Sequence, residues 1–182
     1  MSKVVIAGDA SGTGTFTISA PNGNTDRTLV LPDEAGTIIT TAGVPASAMP
    51  AGSVIQVVNS DSTLNFSTSS TSYVDTGFSV AITPSSASNK VVVIYTGSWS
   101  IQASNVSIQL ALYRDATSIG YYGDIYAAGA GWLAAQGTFA TLDSPATTSA
   151  ITYKLYIKEG GVPGTVSSNL TKHTLIAMEI AG

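Results

Sequence analysis

Hydrophobic and polar residues alternate along most of this chain with the two-residue period of a β-strand. Gly77–Thr83 places Phe78, Val80 and Ile82 against Gly77, Ser79 and Ala81. Asn105–Tyr113 puts Val106, Ile108, Leu110 and Leu112 on one side. Ala150–Lys158 aligns Ile151, Tyr153, Leu155 and Ile157, and in Lys172–Ile180 the residues Thr174, Ile176, Met178 and Ile180 share a face. Ser53–Asn59, Ser118–Tyr126 and Gly131–Leu142 read as further strands. Lys90–Ile101 opens with the unbroken run Val91-Val-Val-Ile-Tyr95, as expected of a strand buried on both faces. Pro84–Asn89 reads as a turn, and Arg114-Asp-Ala-Thr117 as a hairpin turn between two strands. No stretch has a helical period. About eight strands at this spacing predict an all-β head over residues 53–182, a β-sandwich of the jelly-roll kind.

The first forty residues differ in grain. Short apolar runs at 3–7, Thr13–Ser19, Leu29–Leu31 and Thr37–Thr40 alternate with Gly, Pro and Asn turns such as Pro21–Asp26. Four strands this short make a small core, so residues 1–43 read as an arm that completes its core against other copies or a host surface. Residues 44–52, with Pro45, Pro50 and Gly52, read as a Pro/Gly/Ala linker that resists helix.

Composition sharpens this picture. Hydrophobic residues make 44% of the 182-residue chain and charged ones only 10%, against about 25% charged in an average soluble chain. Such a chain covers itself with Ser and Thr hydroxyls, and some of its surface is expected to be buried against partners. The net charge of −4, with scattered positive residues, argues against nucleic-acid binding. There are no cysteines, so disulfides and thiol chemistry are excluded. No signal-peptide pattern and no apolar run of membrane-spanning length is present, so synthesis in a cytoplasm and no membrane partner are expected.

The run Thr28-Leu-Val-Leu-Pro-Asp-Glu-Ala-Gly-Thr-Ile-Ile resembles a module of tail-fibre and head-decoration proteins of tailed bacteriophages. In the head, Thr71-Ser-Tyr-Val-Asp-Thr-Gly-Phe, Ile82-Thr-Pro-Ser-Ser-Ala-Ser-Asn-Lys-Val-Val-Val and Leu112-Tyr-Arg-Asp-Ala-Thr-Ser-Ile-Gly are similar to heads of phage structural proteins. The resemblance implies a non-enzymatic virion protein on the outer surface of the particle. It also implies a homotrimer that contacts the major capsid protein or another virion protein. Capsid decoration is the reading it favours, because the chain shows no heptads or long repeat from which a fibre shaft is built. A tail-fibre or receptor-binding tip is the alternative.

Chemistry-bearing residues are sparse. His173, the single histidine, reads as a strand-end surface or interface residue opening the last strand. Asp33-Glu34 sits in a turn, and Asp115, Asp124 and Asp143 fall in or near loops without pairing. No metal-ligand spacing, phosphate loop or nucleophile motif is present, so no catalytic residue, metal or cofactor is assigned. The aromatics Trp99, Tyr121, Tyr122, Tyr126 and Trp132 are the candidate interface or ligand-contact set, and a host-surface glycan is a partner such side chains could hold. Equally, they could fill the sandwich. Adjacent Tyr121 and Tyr122 must point to opposite faces of a strand. Gly120, Gly123, Gly129 and Gly131 suggest a loop there.

Overall fold

The computed structural model describes residues 11–15, 17, 22–24, 26, 28, 44, 48–102, 104–129, 131–161 and 166–182. The chain divides into two compact units, Met1–Ile38 and Ile39–Gly182. Described residues of the first unit are exposed, with a bend at 22–24 inside the expected turn. Thr13, Gly14, Thr15 and Thr17 belong to no strand, contrary to expectation. The other arm strands, and residues 45–47 of the 44–52 linker, lie outside the described residues. The linker's last residues form a turn tied to the end of the chain. Ser53 N donates to Pro50 O (3.0 Å), Gly52 N to Ala181 O (2.8 Å), and Ala181 N to Ser53 O (2.9 Å).

Among the described residues, the second unit contains eight strands: β1 Val54–Thr68, β2 Val74–Ile82, β3 Lys90–Ile101, β4 Val106–Arg114, β5 Thr117–Ala127, β6 Leu133–Asp143, β7 Ile151–Gly161 and β8 Val166–Ile180. They form two four-stranded antiparallel sheets, ordered β1-β8-β3-β6 and β2-β7-β4-β5. Each strand pairs with the one equally far from the other end of the series: β1 with β8, β2 with β7, β3 with β6, β4 with β5. A long antiparallel hairpin rolled up on itself gives this order, which is the jelly roll. The fold class expected from the alternation is therefore observed.

The alternation explains which face of each strand is inside. Phe78, Val80 and Ile82 of β2, Ile108, Leu110 and Leu112 of β4, and Tyr153, Leu155 and Ile157 of β7 enter the core from one sheet. Val91, Val93, Tyr95, Trp99 and Ile101 of β3, with Leu175 and Ala177 of β8, enter it from the other. Burying each such large side chain contributes about 1.5–3 kcal/mol relative to leaving it in water. Two glycines paired directly across β3 and β6, Gly97 and Gly137, leave room for core side chains. A Cβ on Gly97 would overlap Tyr95 Oη and His173 Nδ1, and one on Gly137 would meet Leu110 Cδ1 at 2.8 Å.

Three expectations need correction. β1 extends to Thr68 and β8 starts at Val166, so the two pair through Ser-, Thr- and Asn-rich segments. An edge strand such as β1 can carry polar residues along much of its length, so apolar periodicity undercounts it. His173 accordingly lies in the middle of β8, not at its start, and it is fully buried. Gly120 and Gly123 are within β5 and not in a loop. The ladder slips one position between Gln109 and Ala111 of β4, opposite Gly123, whose φ of 104° suits such a bulge.

Candidate functional site

The inner face of β8 is more polar than its outer face, and two buried polar clusters make this possible. In the first, Trp99 Nε1 donates to Tyr95 Oη (2.6 Å), and Tyr95 Oη meets His173 Nδ1 at 2.8 Å. Trp99 also packs edge-on to the imidazole, with ring centres 5.0 Å apart. Burial lowers the pKa of His173 from its ordinary 6.5, so the neutral ring is favoured. In the second, Glu179 is fully buried. Its Oε1 accepts from Ser85 N (2.6 Å), Ser85 Oγ (2.8 Å) and Asn89 Nδ2 (2.6 Å), and its Oε2 from Gln56 Nε2 (2.5 Å). Burial pushes this carboxyl up, but the Asn89, Gln56 and Ser85 donors outweigh it and hold it below the usual glutamate range. A pocket of about 260 Å³ beside it is lined by Met49, Ser85, Ser86, Ser88, Asn89, Ala181 and Gly182, without an aromatic ring. A second buried acid, Glu159, has no hydrogen-bond partner for either carboxylate oxygen among the described residues.

The carboxylates singled out by sequence are occupied separately. Asp143 accepts two bonds from Arg114 Nη1 (2.8 and 2.7 Å) and one from Tyr153 Oη (2.7 Å). Asp115, at φ 52° in the hairpin turn, accepts from Thr152 N (3.0 Å). Asp124 accepts from Gln109 Nε2 (3.2 Å). Among the described residues, no group of three His, Asp or Glu side chains could hold a metal ion.

With polar groups turned inward, β8 turns its apolar set outward. Val57, Met178, Val92 and Leu142 form one row across all four strands of their sheet, and Asn59, Ile176, Ile94 and Ala140 form the next. Val57 and Leu142 are 57% and 55% exposed, and the aliphatic residues between them are half-buried. The following row, Asp61, Thr174, Thr96 and Thr138, is polar. Thr174 Oγ1 donates to Asp61 Oδ1 (2.7 Å), and Lys172 pairs with Asp61 at 3.2 Å. The run in β3 that reads as buried on both faces thus has a second face that no described residue covers. An aliphatic band with a polar border is the usual make-up of a contact surface.

The outer face of the other sheet is aromatic. Tyr121, Ala111, Tyr156 and Asp75 form one row across β5, β4, β7 and β2. Asp124, Gln109 and Lys158 flank it on one side, Tyr113 and Lys154 on the other. Tyr113 stacks on Tyr156 with centres 4.0 Å apart, and Tyr73 meets Tyr113 edge-on at 6.4 Å. Lys158 Nζ lies 4.9 Å above the Tyr73 ring, and Lys154 pairs with Asp75 at 3.4 Å. Ala111 is only 1% exposed in the midst of these rings. Burial, then the nearby Asp124, raises the pKa of Tyr121; burial, then Asp75, raises that of Tyr156.

Of the aromatics chosen from sequence, Trp99 is a core residue, 1% exposed, and cannot be a surface contact in this fold. Tyr122 turns inward and stacks on Phe139 at 4.4 Å, while its neighbour Tyr121 faces out, 50% exposed. Tyr126 and Trp132 are exposed, and Tyr126 Oη donates to Asn105 Oδ1 (3.1 Å). Sequence reasoning missed Tyr73, Tyr113 and Tyr156. The signal was there for two of them: Tyr113 and Tyr156 occupy the positions opposite the aliphatic face of β4 and β7.

No known protein family matches the chain, and no curated protein matches it. Among solved structures, its fold is similar to that of infectious bursal disease virus Gx strain (14% identity, 70% of this chain and 32% of that chain, TM-score 0.44). It is also similar to the infectious bursal disease virus VP2 subviral particle (14% identity, 71% and 34%, TM-score 0.43). A third likeness is to dimeric latent PorU from Porphyromonas gingivalis (10% identity, 76% and 14%, TM-score 0.44). The chain spans about a third of the length of these two viral chains. Likenesses this distant carry no argument about function. The protein's class is set by its own strand order, an eight-stranded jelly roll with one aliphatic and one tyrosine-rich outer face.

Proposed function

We propose that this chain is a non-enzymatic structural protein of a tailed-phage virion, a homotrimer on the particle's outer surface that decorates the capsid. Residues 1–43 are the anchor and residues 53–182 the projecting head. The resemblance of the arm and head segments to phage structural proteins supports this reading. The observation that carries it is the aliphatic band Val57–Met178–Val92–Leu142, a surface that costs free energy to leave in water and is covered when copies meet. The occupant proposed for it is a second copy of the chain, because the band is nearly free of charge and so complements itself. Asp115, Asp124 and Asp143 are each engaged by a different partner, which supports the non-enzymatic reading. Light scattering of the purified chain should give a trimer mass, and Leu142→Asp with Val57→Asp should give folded monomers. A monomeric wild-type chain, with single isolated copies on particles, contradicts the reading.

The tyrosine-rich face favours a second role, a tail-fibre tip or receptor-binding head. Density at the tail in place of the capsid would select it.

A further inference from the structure

We infer that the tyrosine-rich outer face of the β2-β7-β4-β5 sheet is a binding site for a neutral saccharide. Its core is the row Tyr121–Ala111–Tyr156, with Tyr113 stacked behind Tyr156 and Asp124 and Gln109 beside it. The chemistry of the row sets the ligand class. Sugar rings present C–H faces that carry slight positive charge, and these pack on the negative faces of aromatic rings. Their hydroxyls come in neighbouring pairs that suit a carboxylate and an amide held side by side. Asp124 and Gln109 are such a pair, 3.2 Å apart on adjacent strands. The Tyr hydroxyls add neutral donors and acceptors at the edge of the rings.

Charge decides between ligand classes. The face carries Asp75, Asp124, Lys154 and Lys158, two of each sign, on a chain of net charge −4. Lys154 is paired with Asp75 and Lys158 lies over Tyr73. A polyanion therefore finds no positive field. Asp124, Lys154 and Lys158 closely flank the tyrosine row, and a protein partner covering it would desolvate them, whereas a hydrated saccharide leaves them wet. The opposite outer face, aliphatic and nearly uncharged, has the protein-contact character this one lacks. Supporting ring contacts hold Tyr113 and Tyr156 in place before any ligand arrives, so little side-chain freedom is lost on binding.

The test uses the full chain and NMR of its tyrosine ring signals. Oligomers of glucose, galactose, mannose and N-acetylglucosamine are titrated in turn, with polygalacturonate as the anionic probe. At least one neutral oligomer should give saturable shifts at Tyr121 and Tyr156 at up to millimolar concentrations. Tyr121→Ala and Asp124→Asn should each weaken that response tenfold or more without changing the melting temperature. Val54→Ala, exposed on β1 of the other sheet, should leave it unchanged. No response to any of the four neutral oligomers overturns the inference, as does a response only to polygalacturonate. It is overturned too if Tyr121→Ala leaves saccharide shifts intact but alters the mass seen by light scattering, which would make the face a protein contact. Binding is read on the isolated chain, so its failure leaves the virion assignment standing, and a misplaced virion assignment leaves binding intact.

Discussion

Replacing Tyr95 by Phe removes one oxygen atom from the centre of the sandwich and leaves its shape unchanged. That oxygen has two partners. It accepts from Trp99 Nε1 at 2.6 Å and lies 2.8 Å from His173 Nδ1. Trp99 is 1% exposed and Tyr95 and His173 are fully buried, so no water replaces the lost partner. Indole N–H is a donor only and must find an acceptor. Leaving a buried polar group unsatisfied costs about 1–3 kcal/mol, and the Trp99 donor is orphaned here. The expected loss is therefore about 1–3 kcal/mol, a substantial share of the roughly 5–15 kcal/mol by which a domain is stable. Urea unfolding at pH 8, followed by far-ultraviolet circular dichroism, measures it. The control is Tyr126→Phe, which removes an exposed bond to Asn105 and should cost under about 0.5 kcal/mol. If Tyr95→Phe is as mild as the control, the Trp99–Tyr95–His173 chain does not hold the core, and the account of why β8 carries a histidine inside fails.

Gly97→Ala forces a methyl group into the space of Tyr95 Oη and His173 Nδ1, and should cost about 1–3 kcal/mol in the same assay. Stability should fall on acidification in two stages. His173 has a folded pKa below 6.5, so the unfolded chain takes up its proton first, and stability declines from pH 6.5 down to the folded value. Glu179 is likewise depressed, so its contribution is present above the ordinary 4.5 and is lost as pH falls below it. Urea midpoints from pH 8 to pH 3 check both, and the upper stage should vanish in a folded His173 variant. Glu159→Met replaces a buried acidic side chain lacking described partners by an apolar one of similar length, and should raise the unfolding free energy by about 1 kcal/mol or more.

Much of the head was legible because burial of one face writes a period of two into the chain. Strands β2, β4 and β7 alternate cleanly, and their core faces are Phe78–Ile82, Val106–Leu112 and Ile151–Ile157. The rest was hidden where burial and hydrophobicity part company. His173 and Glu179 face inward because partners distant in sequence, Tyr95 and Asn89 among them, satisfy them. Ile176 and Met178 face outward because their neighbours across the sheet form a band that the single chain leaves uncovered. No local pattern carries that information, since it depends on register across β1, β8, β3 and β6. The tyrosine face was missed for a related reason. That one of Tyr121 and Tyr122 faces out was legible, but not which, and the meeting of Tyr121 with Tyr156 through Ala111 needs the order β5-β4-β7.

A reconstruction of the intact particle tests the proposal that this jelly roll is a trimeric decoration of a phage capsid. Density for the head is expected in groups of three on the outer capsid surface, with residues 53–182 projecting and the 1–43 end toward the shell. The aliphatic band of Val57, Val92, Leu142 and Met178 should face a neighbouring copy. Particles whose capsid surface lacks this density, or carries it as isolated single copies with that band open to solvent, would contradict it.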